Sequence, residues 1–328
     1  MAGELIRLDN KHISVEQMKM SIDRVLQCYI RNMSGPPSPL IENYLWEASF
    51  WHVATIGRGC KLNPKLISVL IERWRPETHT FHFPCGECTI TLEDVHLAVG
   101  EFSWGSAVLA ILYREICRVM RLNKAKIGGC LSLLQSWARF HFPFLCHRVD
   151  HPYTFLLITR WNRSASYVGL PVSLEDIRFL LDQRSKAQFQ WTPYEDPAIR
   201  AVILDEYFQN SNIWHVKVPL VNYAIVEMHQ SDRVLQQFGF RQPIPVAPEV
   251  LDDEHEIDLR QLHTDWPGYW STYIEMWKNQ YDYIPTREPI IVPELACVPK
   301  YMPWFRIHGK PYLLLEDERR REIHVERE

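Results

Sequence analysis

Residues 72–100 read ERWRPETHTFHFPCGECTITLEDVHLAVG, the densest mixture of aromatic, histidine, cysteine and carboxylate residues in the chain. THTFHF alternates like a short strand, PCGE supplies a turn and CTI resumes the strand, which predicts a small hairpin near 78–90. Thr91 and Asp94 then sit at capping-box spacing, with Asp in place of the usual Glu, and open a helix over LEDVHLAV that Gly100 ends. Upstream, Asn63 can cap and Pro64 can start a helix whose Leu66, Ile67, Leu70 and Trp74 share one side. The stretch is a hairpin held between two helices.

Helical patterns dominate outward from it. Residues 14–32 predict an amphipathic helix, opened by Ser14 and Gln17 and carrying Val15, Met18, Ile22, Leu26 and Tyr29 on one face. Pro36, Pro37 and Pro39 stop it, so residues 1–39 read as an N-terminal helical arm. Further helices are predicted over 104–120, 129–140, 197–209 and 265–281, and one opened by Ser173 and Asp176. NIWHVKVP is more strand-like, and Gly239 is placed to follow a helix end. The proline- and acid-rich run 241–263 reads as loop, and residues 316–328 as a solvated charged tail. The fold class is mainly α with a few short strands, in a single multi-helical domain over 40–315.

Composition narrows the function. With 46% hydrophobic and 23% charged residues, 12 Trp, 14 Tyr and 14 Phe, the 328-residue chain can build an aromatic core. A net charge of −4 disfavours broad phosphate-driven binding to nucleic acid, leaving room for a local basic patch. No apolar run is long enough to span a membrane, and MAGELIRLDNKH lacks the apolar segment of a secretory signal. The eight cysteines are scattered, and without such a signal they read as reduced thiols of an intracellular protein.

His79, His82, Cys85 and Cys88 are the metal candidates, since all four are zinc-ligand types. Zinc sites usually draw ligand pairs from two opposed elements, whereas these fall in one run of strand and turn. Residues three apart on a strand point to opposite faces, so a structural hairpin explains them better. Glu77, Glu87, Glu93 and Asp94 offer acid/base chemistry, but Glu93 and Asp94 lie in a first helical turn, where capping suffices. His141, His147 and His151 lack a paired carboxylate at a definite spacing. No nucleophile elbow, phosphate loop or dinucleotide fingerprint occurs, so no cofactor is expected. Arg114, Arg118, Arg121, Lys124 and Lys126 form the best basic face for nucleic acid or a partner.

Several stretches together resemble the plant mobile domain, also labelled aminotransferase-like, of the MAINTENANCE OF MERISTEMS-like family. They are LISVLIERWRPETHTFHFPCGECTITLEDVHLAVG, SWGSAVLAILYREICR, IGGCLSLLQSWARFHFPFL, QFQWTPY, VEMHQSDRVLQQFGFRQPIP and YMPWFRIHG, in the family's order. The resemblance implies a nuclear plant protein, related to a domain also carried by transposable elements. It further implies roles in meristem maintenance, genome stability and silencing of repeated DNA, with protein partners in the nucleus and no membrane. Some members carry a fused protein-phosphatase domain. No marked Schiff-base lysine with a glycine phosphate cup accompanies the aminotransferase label.

The chain departs from the family after Gly100, where a long middle segment is expected and SWGSAVLA follows almost at once. Loss of such a block predicts exposed apolar faces, and so lower stability than the relatives or a partner that covers them. The leading expectation is a non-enzymatic interaction module using surface near 104–126 and 231–241. Its alternatives are a transposon-derived nucleic-acid-binding domain, and a degenerate or metal-assisted hydrolase centred on His79, His82 and Glu87.

Overall fold

The structure is a computed structural model, and it describes residues 24–29, 38–47, 61–100, 102–120, 124–147, 149, 151–162, 169–249, 251 and 265–309. Its described elements, in chain order, are β1 (Gln27–Cys28), α1 (Glu42–Glu47), α2 (Pro64–Glu72), β2 (Trp74–Arg75), β3 (Thr80–Phe83) and β4 (Gly86–Cys88). There follow α3 (Leu92–Val99), α4 (Phe102–Val119), β5 (Lys126–Ile127), α5 (Leu131–His141), α6 (Leu174–Gln188) and α7 (Pro197–Arg200). The last are β6 (Val218–Asn222), β7 (Ile225–His229), α8 (Trp266–Tyr269), α9 (Ser271–Lys278) and α10 (Tyr301–His308), with short 3-10 turns between. The mainly helical class is as the pattern predicts, and no described helix is long and apolar enough to cross a membrane.

Local chemistry sets the central elements. The Asn63 side chain accepts from the Lys65 and Leu66 amides, and Pro64 opens α2 without a lost donor. Every residue of α2 from Leu66 to Glu72 is buried, which makes it an inner helix rather than an amphipathic one. The β2–β3–β4 sheet is an antiparallel meander, with Trp74 opposite Phe81, Arg75 opposite Thr80 and His82 opposite Glu87. Gly86 turns the hairpin at φ +141, where a side chain would strain the backbone. The capping box forms as read, with Asp94 N donating to Thr91 Oγ1 and Thr91 N donating to Asp94 Oδ2.

The sheet has one apolar and one polar face. Trp74, Phe81, Phe83 and Cys88 point into the main core, where Phe81 stacks on Trp137 at 5.0 Å and Phe83 meets Phe142 edge-on at 4.9 Å. Helices α2, α3, α4 and α5 supply most of the surrounding aliphatic side chains. α6 lies outside, burying the stripe Leu174, Ile177, Leu181 and Ser185. Two buried ion pairs bolt it to α2: Arg178 holds Glu72 through two bonds of 2.9 and 2.7 Å, and Arg73 pairs with Asp182.

Several boundaries differ from the sequence reading. Residues 24–29 are extended rather than the end of a helix, because Gln27 N and Tyr29 N donate to Ala125 O and Ile127 O in a parallel ladder. The earlier part of that predicted helix lies outside the described residues, as does the charged tail. The 197–209 helix stops at Arg200, and the 265–281 helix breaks at Trp270, whose ring anchors a satellite cluster with Val226. Tertiary burial of Trp270 overrides the local periodicity.

At the departure after Gly100, α3 and α4 pack directly together. Val95, Leu97, Leu109 and Leu112 are fully buried, so apolar faces of these two helices are covered. Gly105 permits the approach, since a Cβ there would stand 2.9 Å from Val95 Cγ1. Gly105→Leu is expected to lower the unfolding free energy by about 1–3 kcal/mol in denaturant titration, because the contact is already full. An unchanged midpoint would contradict this packing.

Candidate functional site

The polar face of the meander carries the motif's chemistry. Thr80, His82 and Glu87 share it by the alternation of β3 and its register with β4. The Glu87 carboxylate is fully buried, and Arg233 grips it with Nε at 2.7 Å and Nη2 at 2.8 Å. Thr80 Oγ1 donates to Glu87 Oε2 at 3.1 Å, while Arg233 Nη1 donates to Val246 O at 3.1 Å. The Glu87 amide donates to Tyr301 OH at 3.3 Å. His82 Nδ1 meets Gly309 O at 2.6 Å and its Nε2 meets Thr80 Oγ1 at 3.2 Å, with Phe305 edge-on to the ring. α10 and the segment after β7 thus close over the hairpin.

His79 lies on the other side, in the turn before β3 with φ 50. Its Nδ1 meets Met228 O at 2.8 Å, its Nε2 meets Glu227 Oε2 at 3.0 Å, and the ring stacks on Tyr113 at 5.2 Å. A carbonyl oxygen only accepts, so Nδ1 carries a proton; the carboxylate favours a second proton on Nε2. Burial opposes that charge, but hydrogen bonds with Cys117 and Glu227 outweigh it and raise His79 well above the usual histidine range. Nearby His229 behaves oppositely: burial and the charge on His79 push it down to about 4.

A third imidazole repeats the arrangement. His141 Nδ1 meets Gln190 O at 2.6 Å and its Nε2 meets Asp94 Oδ1 at 3.3 Å. Asp94 also accepts from Tyr194 OH at 2.7 Å, so the capping carboxylate of α3 doubles as a tether for distant segments. Glu93 beside it is raised well above the carboxylate range by burial, then by Asp94 and Glu195.

The four metal candidates are therefore held apart. His82 faces Gly309, His79 faces β7, Cys88 points into the apolar core, and burial pushes the Cys85 thiol up to about 12. Among the described residues, no three His, Cys, Asp or Glu side chains group to hold a metal ion. A small cleft of about 30 Å³ is lined by His79, Glu227, Pro76, Glu77 and Glu249. A ring with both nitrogens engaged by acceptors has no lone pair to take a proton from a substrate, so His79 is not poised as a base.

The basic candidates fare differently. Lys124 and Lys126 are exposed, Arg118 is exposed and bonded to Glu115 Oε2 at 2.8 Å, and Arg114 is half-buried. Arg121 lies outside the described residues. The expected surface near 231–241 is corrected: Ser231, Arg233, Val234, Leu235, Gln236 and Gln237 are buried, because this segment forms the lid of the meander. Its Gln237 pairs reciprocally with the Thr89 backbone at 2.7 and 2.9 Å. Sequence reasoning missed Arg233, whose signal was a lone arginine inside the buried run SDRVLQQFG.

The proton on His79 yields a test. A raised native value contributes stability that is complete below the free imidazole value near 6.5 and is lost as pH rises through the native value. Above pH 7, the unfolding free energy of the protein should fall more steeply than that of His79→Gln, by up to about 1.4 kcal/mol per pH unit. Equal slopes would contradict a charged His79.

A family model described as Plant mobile domain matches residues 51–101 and 98–306, two stretches that meet at the α3–α4 junction. Among curated proteins of Arabidopsis thaliana, the chain is 28% identical to Serine/threonine-protein phosphatase 7 long form homolog, over 87% of this chain and 30% of that protein. It is 26% identical to Protein MAINTENANCE OF MERISTEMS, over 76% of this chain and 73% of the relative. It is 25% identical to Protein MAIN-LIKE 1, over 74% of this chain and 66% of the relative. The first alignment is 398 positions long, whereas 87% of 328 residues is about 285, so roughly 110 positions carry no residue of this chain. No solved structure matches it.

Proposed function

The chain belongs to the plant mobile domain family, and from that premise we propose that it is a non-enzymatic nuclear module acting in meristem maintenance, genome stability and silencing of repeated DNA. The observation that supports a non-enzymatic role is the closure of the motif's chemistry. Glu87, His82, Asp94 and His141 are buried and bond to other parts of the chain, and His79, which lines the small cleft, has both ring nitrogens bonded within the chain. The relatives named MAINTENANCE OF MERISTEMS and MAIN-LIKE 1 support the developmental role. The phosphatase name belongs to a protein of which this chain spans 30%, so a phosphatase activity is not carried over.

We also place the block absent from this chain at Gly100. The two family matches meet there, and α3 and α4 close against each other without it. On this reading the relatives insert the block between two neighbouring residues, and the remaining helices complete their own core.

The purified protein is expected to leave an aryl phosphate intact, with or without added divalent metal, and to hold less than stoichiometric zinc by elemental analysis. A fluorescent fusion should be retained in the nuclei of permeabilised plant cells. Turnover that disappears in His79→Gln, or exclusion from nuclei, would overturn the proposal.

A further inference from the structure

We propose that a ridge formed by Tyr29, Arg118, Lys124 and Lys126 binds single-stranded nucleic acid. This deepens the interaction-module reading by assigning one surface and one partner class. The ridge is built by the β1–β5 ladder and the C-terminal end of α4, and the parallel pairing brings together strands distant in sequence, with Gln27 beside Lys126. Gln27 stands opposite Lys126 and Cys28 opposite Ile127, so the buried Ile127 faces inward while Tyr29 and Lys126 lie outward. Lys126 Nζ sits 5.6 Å from the centre of the Tyr29 ring, and Tyr29 as a residue is 54% exposed.

Charge and aromatic surface coincide here. Arg24 lies beneath the ridge: it donates through Nη2 to Val119 O at 3.2 Å, and its Nε and Nη1 are enclosed by the protein, so it adds positive charge from below and makes no phosphate contact. Glu115 is the carboxylate bonded into the ridge, and its Oε2 is occupied by Arg118 at 2.8 Å and by the Gly128 amide at 2.9 Å. Three exposed cations, Arg118 paired and Lys124 and Lys126 beside it, thus stand against one engaged carboxylate, in a chain whose net charge is −4. Such a local excess suits a polyanion and argues against general stickiness.

The exposed Tyr29 decides between polyanions. Bases of a single strand offer free faces that stack on an aromatic ring with little sequence preference, while cations follow the phosphates. A duplex hides those faces, and an acidic peptide has none. The inference is therefore weak sequence preference, strong salt dependence and preference for single strands.

The test uses the full chain and a fluorescent oligothymidylate of about twelve nucleotides, within the usual span of such sites. Three phosphate contacts predict an affinity loss of roughly 20-fold between about 50 and 200 mM salt. Lys124→Glu combined with Lys126→Glu, checked for unchanged circular dichroism and thermal midpoint, should weaken binding at least roughly tenfold. Tyr29→Leu should weaken the single strand and leave a duplex of the same length unaffected. Absence of binding, insensitivity to these variants, or equal competition by a polyglutamate peptide would overturn the inference. In each of those cases nuclear retention of the protein would still stand, so the two proposals fail separately.

Discussion

A carboxylate and a guanidinium, both sealed from water, hold this fold to its shape. Glu87 comes from a hairpin strand and Arg233 from a segment 146 residues later, and their two bonds are short and parallel. Taking either charge out of water alone is costly, so each is stable inside only while the other is present. That constraint brings the run after β7 down onto the polar face of the meander. From there Arg233 reaches Val246 O, His82 Nδ1 donates to Gly309 O, and Tyr301 accepts from the Glu87 amide.

The same logic recurs around the core. His79 and His141 each bridge a carboxylate and a backbone carbonyl from elsewhere in the chain, and Arg73 and Arg178 fasten α2 to α6. Many of the connections are irregular segments and 3-10 turns, which leave backbone groups in need of partners. Buried polar side chains meet that need at specific points, and in doing so fix which loop lies where. Residue types that often perform catalysis here act as architecture. Surface chemistry is left to groups such as the β1–β5 ridge, where cations and an aromatic ring remain in reach of a partner.

What the sequence revealed follows from the range of the interactions. The capping box at Thr91 and Asp94, the hairpin turn at Gly86 and the stop at Gly100 are set by residues within a few positions, and each was readable. The opposed faces of β3 were readable too, since alternation separates His79 from His82 and weakens any metal site. By contrast, nothing local marks Arg233 as the partner of Glu87 or Met228 O as the acceptor for His79. The extended course of 24–29 was likewise invisible, because its apolar spacing fits a helix while its partner strand lies near Lys126. Trp270 broke a predicted helix for a similar reason, its burial against Val226 outweighing local preference.

The central claim is that the hairpin's buried polar residues hold the fold together. A double-mutant cycle on Glu87→Leu and Arg233→Met, read by denaturant unfolding, tests it most directly. Each single change should cost about 3–5 kcal/mol by stranding a buried charge, and the double change should cost clearly less than the two added together. Single costs below about 1 kcal/mol that simply add would contradict it.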